Sequence, residues 1–247
     1  MRSLQVRSIE SASSVCRHPW QKAVCAALVL AWLGCSKPPT AAQEPAAAAS
    51  TAPVAAAPQA LAAAPTQAEV GKPAPNFTLP DLEGKSVSLA DFKGKPVVLE
   101  WFNPGCPFVR AAHTAGSLKT LAAEQTAQGV TWLAINSGGA GKQGAGVEAT
   151  RQGQTTFSMQ HPALLDESGS VGRLYGAERT PQLYVINAEG VLVYRGAIDN
   201  SPDGEGQSPE GGKLVNYVAS ALQAVRTGAA VEPAETKPYG CTVKYNM

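Results

Sequence analysis

The chain has no excess of either charge: 20 lysines and arginines stand against 19 aspartates and glutamates, a formal net charge of +1. With no basic run outside the leader, there is no electrostatic footprint for nucleic acid. A small neutral substrate or a protein thiol is the expected partner. Large apolar residues are scarce in the first third, which therefore cannot build a core and leaves a working domain of about 160 residues. Cysteine is also scarce, with Cys16, Cys25, Cys35, Cys106 and Cys241 making up the five. The first three fall in a segment that reads as a targeting sequence, so the folded part keeps two, and two thiols can form one pair. Of three histidines, His113 and His161 lie outside the leader. Neither forms a metal-ligand spacing with Cys106, so no metal and no organic cofactor is expected.

What is there begins with Arg2, Arg7, Arg17 and Lys22 against a single acid, Glu10, followed by an apolar run over residues 23–33. That run is too short to span a bilayer but suits the h-region of a signal peptide, which assigns residues 1–34 to a leader. It ends Leu33-Gly34-Cys35-Ser36, which resembles a bacterial lipobox. Cys35 would then be acylated and anchor the protein in the cell envelope by lipid alone. Trp32 departs from the aliphatic residue expected there, and cleavage to a soluble secreted form is the alternative. Residues 35–69 are rich in alanine and proline with almost no charge, a composition that cannot bury a core and predicts a tether.

The globular domain is expected over 70–228, with a C-terminal tail, 229–247, carrying Cys241. Residues 76–81 and 85–89 alternate in period 2 around Leu82-Glu83-Gly84, an N-terminal β-hairpin signal. A short helical turn ends at Gly94. A strand over 97–102, a helix over 107–128 and a strand over 130–136 follow, the last unpatterned enough to be buried on both faces. A Gly-rich loop, 137–146, leads to a polar helix over 147–159, a short strand at 162–166 and a helical turn at 171–175. Strands 182–186 and 191–195 flank Asn187-Ala188-Glu189-Gly190, a hairpin. A last helix over 212–227 places Leu214, Val218, Leu222 and Val225 on one face. The order predicts an α/β domain with a mixed central sheet flanked by helices.

The strand over 97–102 runs into Pro104-Gly105, and the turn delivers Cys106 to a helix N-cap. Pro107 takes the first helical position, where a missing N–H costs nothing. Unpaired N–H groups and the positive end of the helix dipole favour a thiolate there. Cys106 is the candidate nucleophile; the competing reading is a buried, inert cysteine.

A cysteine at a strand-to-helix turn, Thr180-Pro181 just before a hairpin and a terminal helix together resemble the thioredoxin fold. Gly71-Lys72-Pro73-Ala74-Pro75-Asn76-Phe77 and Leu89-Ala90-Asp91-Phe92-Lys93-Gly94-Lys95 are similar to the redoxin branch, the alkyl hydroperoxide reductase/thiol-specific antioxidant family. Glu100 to Arg110 and the tail Pro238-Tyr239-Gly240-Cys241-Thr242-Val243-Lys244-Tyr245 resemble a peroxiredoxin-like bacterial subgroup. The resemblance covers about residues 70–247.

The resemblance implies a role for each matched position. Cys106 matches the nucleophile, but Val109 stands where a Cys-x-x-Cys would have its second thiol. Glu100 matches a buried acid that accepts a proton, and desolvation is expected to raise its pKa; a solvent-facing glutamate is the alternative. Pro181 matches a cis-proline that exposes the Thr180 backbone to a substrate chain. Asn103 replaces a peroxide-contacting threonine, and a peroxide-binding arginine would have to be Arg179 or Arg110. Arg110 is one turn from Cys106, close enough to stabilise a thiolate, or else is a solvated helix residue. Cys241 is read as a resolving cysteine in a mobile tail. The other reading makes it a static staple worth about 4–5 kcal/mol.

The first expectation is a peroxiredoxin-like thiol oxidoreductase of the bacterial envelope, acting on a peroxide or a disulfide and recharged by Cys241 or an external thiol. A membrane-tethered protein-disulfide reductase and a non-catalytic module binding a peptide or copper are the alternatives. Gly139-Ala140-Gly141-Lys142-Gln143-Gly144 satisfies a dinucleotide fingerprint in spacing. It is set aside because the preceding strand–helix unit belongs to Cys106.

Overall fold

The computed structural model describes residues 67–246. The leader 1–34, Cys35 and the tether as far as residue 66 lie outside the described residues.

A hairpin, β1 (Thr78–Pro80) with β2 (Ser86–Ser88), opens the domain. It passes into a 3-10 turn, Leu89–Phe92, closed by a capping box between Ser88 and Asp91. The strands β3 (Val97–Trp101), β4 (Thr131–Asn136), β5 (Ala163–Leu165), β7 (Gln182–Ile186) and β8 (Leu192–Gly196) form one sheet. Its order is β5-β4-β3-β7-β8. β3 runs parallel to β4 and antiparallel to β7, so the sheet is mixed, as expected. All five residues of β3 are buried, which fits a central strand covered on both faces.

Alternation along β3 sends its side chains to two cores. Leu99 and Trp101 join Phe77, Tyr175, Tyr184 and Leu164 on one side. Val98 joins Trp132, Ala112, Leu121, Val218 and Leu222 on the other, packed by α1 (Pro107–Thr114), α2 (Leu118–Thr126) and α5 (Tyr217–Thr227). Burial of each such large apolar side chain contributes about 1.5–3 kcal/mol. The remaining helices are α3 (Gly146–Thr156) and α4 (Ser170–Tyr175).

Three expectations are corrected. The helix over 107–128 is two helices, broken at 115–117. The chain around Gly204 approaches so closely that a Cβ on Gly116 would collide with the Gly204 carbonyl, and the Ser117 hydroxyl donates to Asp199 beyond β8. The last helix starts at Tyr217, N-capped by Asn216, whose side chain accepts from the Ala219 N–H. Leu214 lies before it and is 43% exposed, because Asn200 binds the Val215 N–H and the Glu210 and Lys213 carbonyls into a loop. The tail, expected to be mobile, is strand-paired: β9 (Cys241–Thr242) runs antiparallel to β6 (Arg179–Thr180).

Candidate active site

The end of β3 sets the nucleophile turn. Phe102 N–H still donates across to the Ile135 carbonyl, and the chain then folds over Asn103. The Asn103 side-chain oxygen accepts from the Gly105 N–H at 2.8 Å, and its carbonyl accepts from the Cys106 N–H at 3.0 Å. Cys106 is the N-cap of α1, in extended conformation, with Pro107 at the first helical position. Its side chain is 2% exposed and packs with Phe102, Val109 and Ala134. Val109 is thus core at the place of a local second thiol.

The missing thiol comes from the other end of the chain. Cys106 Sγ lies 2.6 Å from Cys241 Sγ, and the Cys106 thiol also faces the Thr180 carbonyl at 3.1 Å. Both cysteines are free thiols, Cys106 buried and Cys241 partly exposed. Burial pushes the Cys241 thiol up to about 11, and the neighbouring Cys106 adds to the shift; Lys244 and the Phe108 amide pull the other way. The Thr180–Pro181 peptide is cis. The expected open backbone at Thr180 is corrected, since that edge is filled by Cys241 of the chain's own β9. The Thr180 hydroxyl is buried without a hydrogen-bond partner among the described residues.

Glu100 is fully buried, which rules out the solvent-facing reading. Its expected raised pKa is also corrected. Burial is the largest influence and pushes it upward, but the His113 ring and its hydrogen bond, His161 and the Trp132 N–H together hold it below the ordinary carboxylate value. His113 Nε2 is 2.6 Å from Glu100 Oε1, and the Trp132 indole N–H donates to Oε2 at 2.9 Å. Both oxygens are therefore engaged by groups other than Cys106. Metal-ligand spacing does not reveal the pairing of His113 with Glu100; its signal in the sequence is the place of His113 two turns after Cys106, on the face of α1 that carries Val109. Burial lowers the His161 pKa to about 4.

Arg110 is exposed and lines a depression of about 440 Å³ beside Pro104, Gly105 and Phe157. Its backbone N–H donates to the Cys106 carbonyl at 3.0 Å, and no side-chain bond from Arg110 occurs among the described residues. Arg179 instead donates to the Thr242 hydroxyl at 3.0 Å, on the tail.

The Gly-rich loop has a role that its fingerprint spacing did not suggest. The Gln143 carbonyl accepts from the Asn103 amide at 3.0 Å, and the Gln143 amide donates to the Gly105 carbonyl at 3.0 Å. At its other end the Gly139 N–H donates to the Lys244 carbonyl at 2.8 Å. One loop therefore touches both cysteine-bearing segments.

The family model described as Redoxin matches residues 69–210. The chain is similar to the thiol-disulfide oxidoreductase ResA of Bacillus thuringiensis subsp. konkukian, 27% identical over 125 residues, covering 51% of this chain and 68% of the relative. It is also similar to the chloroplastic peroxiredoxin Q of Triticum aestivum, 34% identical over 128 residues, 50% of this chain and 57% of that one. Among solved structures, an uncharacterized conserved protein from Geobacillus kaustophilus superposes with a TM-score of 0.61 at 31% identity, covering 72% of this chain and 93% of the other. With its strand–turn–cysteine–helix unit, cis-proline and mixed sheet inside the matched span, the chain belongs to the redoxin family.

Proposed function

We propose that the protein is a thiol-dependent oxidoreductase, peroxiredoxin-like, in which Cys106 attacks and Cys241 resolves. The observation that carries this reading is the 2.6 Å separation of the two sulfurs. The Cys106 thiolate attacks the terminal oxygen of a hydroperoxide; the O–O bond breaks, the alcohol or water leaves with a proton, and Cys106 becomes a sulfenic acid. The Cys241 thiol then attacks that sulfur, expelling water and forming the Cys106–Cys241 disulfide. Two external thiols restore the dithiol and are themselves oxidised to a disulfide. Cys241 is the more exposed partner, so the first reductant thiolate meets its sulfur and Cys106 leaves as a thiolate at the positive end of α1.

Glu100, bonded to His113 and Trp132, is assigned a positioning role, Arg110 is assigned stabilisation of the Cys106 thiolate by its charge through solvent, and Thr180 with Pro181 forms the wall facing Cys106. A second reading, reduction of protein disulfides by the same pair, is favoured by the similarity to the ResA relative. An envelope location with an acylated Cys35 is part of the proposal and rests on the leader composition and the Leu33-Gly34-Cys35 sequence. So is the division into leader, tether, redoxin domain and cysteine-bearing tail.

The test treats wild type, Cys106→Ser and Cys241→Ser with one equivalent of hydrogen peroxide and reads intact masses. Wild type should lose two hydrogens, Cys241→Ser should gain one oxygen that a sulfenic-acid trap captures, and Cys106→Ser should stay unchanged. Equal oxidation of Cys106→Ser would sink the assignment.

A further inference from the structure

Strand β9 does more than bring Cys241 near Cys106. Its register sets Cys241 opposite Thr180 and Thr242 opposite Arg179, with the Val243 N–H donating to the Glu178 carbonyl at 3.0 Å. A cysteine is thus presented to Cys106 by an extended segment paired with Thr180, the place an extended cysteine peptide would take on the same edge. A strand edge has one set of N–H and C=O groups, and one partner at a time can fill it.

The tail is held there at several points. The Lys244 carbonyl accepts from Gly139, the Tyr245 hydroxyl donates to the Ala177 carbonyl at 2.7 Å, and Arg173 donates to the Asn246 carbonyl at 2.7 Å. The Arg173 guanidinium also lies 4.7 Å from the centre of the Tyr245 ring, and Val243 is buried. Upstream, the Tyr239 hydroxyl donates to Asp199 at 3.0 Å. Gly240 completes the seat. Its φ is +106°, and a Cβ there would collide with the Thr180 carbonyl, so the close approach of tail to edge needs glycine.

We propose that β9 is an internal substrate strand that keeps extended polypeptides off the Thr180 edge and restricts the resting enzyme to small oxidants such as hydroperoxides. The inference deepens the redox reading of Cys106 and rests on it for the nature of the reaction, while the docking claim stands on backbone pairing alone. A polypeptide disulfide reaches Cys106 only in the fraction of molecules whose tail is undocked, and its apparent affinity falls by that fraction.

The test uses full-length chains carrying Gly240→Val or Tyr245→Ala, which loosen the tail and leave both cysteines in place. The probe is a fluorescent copy of residues 237–246 with Cys241→Ser, which pairs but cannot react. Anisotropy should show the probe binding at least ~10-fold more tightly to both variants than to wild type. In parallel, single-turnover oxidation of Cys106 is timed with hydrogen peroxide and with an extended peptide carrying a mixed disulfide. The variants should raise the peptide rate relative to the peroxide rate by ~10-fold or more.

Equal probe binding by wild type and variants, or none by any folded variant, overturns the proposal. Circular dichroism establishes folding. If both variants fail to fold, Tyr245→Phe, which removes only the bond to the Ala177 carbonyl, must give a smaller gain in the same direction, and no gain counts against the proposal. If Cys106 reacts with neither oxidant in wild type, the redox reading falls, and probe binding still decides the docking claim.

Discussion

His113 and Glu100 form a buried pair, Nε2 to Oε1 at 2.6 Å, beneath the helix that carries the nucleophile. A carboxylate with no exposed surface is tolerable only when its oxygens are bonded. Here the imidazole and the Trp132 indole engage both of them. The acid inherited at this position is coupled to a histidine of α1 rather than to a second thiol.

Removing one partner strands the other. His113→Leu is expected to cost about 3–5 kcal/mol by urea denaturation, and Glu100→Leu/His113→Leu less than His113→Leu alone. The folded pKa of Glu100 is lowered from its ordinary value, so its contribution is present above the unfolded value and is lost as pH falls through the folded one. A double variant no more stable than the single would contradict the pairing.

His161 sets a separate acid window. Its folded pKa is about 4 against an ordinary 6.5, and Glu100 and His113 are the titratable groups facing it. Between those values the unfolded chain holds a proton that the folded chain does not, so stability falls as pH drops from 6.5 to 4, by about 3 kcal/mol in all. His161→Gln should flatten this stretch of the curve in urea melts taken from pH 7 to pH 4. An unchanged slope would remove His161 as its source.

Asn103 ties the nucleophile turn to the Gly-rich loop, accepting from Gly105 and donating to Gln143. Asn103→Ala forfeits both bonds, a loss of about 1–3 kcal/mol. Looser placement of Cys106 should slow closure of the Cys106–Cys241 disulfide by about 10-fold. Stopped-flow timing of disulfide formation after a peroxide pulse reads this directly.

Arg110 is exposed on the first turns of α1. Its charge reaches Cys106 through solvent, so Arg110→Ala should slow alkylation of the reduced protein by iodoacetamide by less than about 3-fold, with the difference vanishing at 1 M salt. A large, salt-insensitive loss would mean a direct contact during the reaction.

Local signals carried much of the fold. The N-terminal hairpin, the strand ending in Pro104-Gly105 and the cap at Cys106 are written in short-range residue choices, and the structure has them. Long-range partners were not legible. Helical periodicity runs through Gly116 because the obstacle is a carbonyl at Gly204, far along the chain. Leu214 fits the helical stripe, yet Asn200 takes the backbone that a longer helix would need. The sequence pointed to Cys241 as the distant thiol, but composition suggested a free arm. Pairing with Arg179 and Thr180 depends on a strand edge whose vacancy no local pattern reveals. Glu100 is legible by its position, while the sign of its shift depends on His113 and Trp132 arriving from α1 and β4.

The loop over 137–146 acts as a caliper. One jaw, at Asn103 and Gly105, grips the segment before the first sulfur, and the other, at the Lys244 carbonyl, grips the segment after the second. The gap between the thiols is therefore gauged by a stretch that contains neither of them. Lengthening or shortening that stretch would reset the gap while leaving Cys106, Cys241 and their immediate neighbours unaltered in sequence.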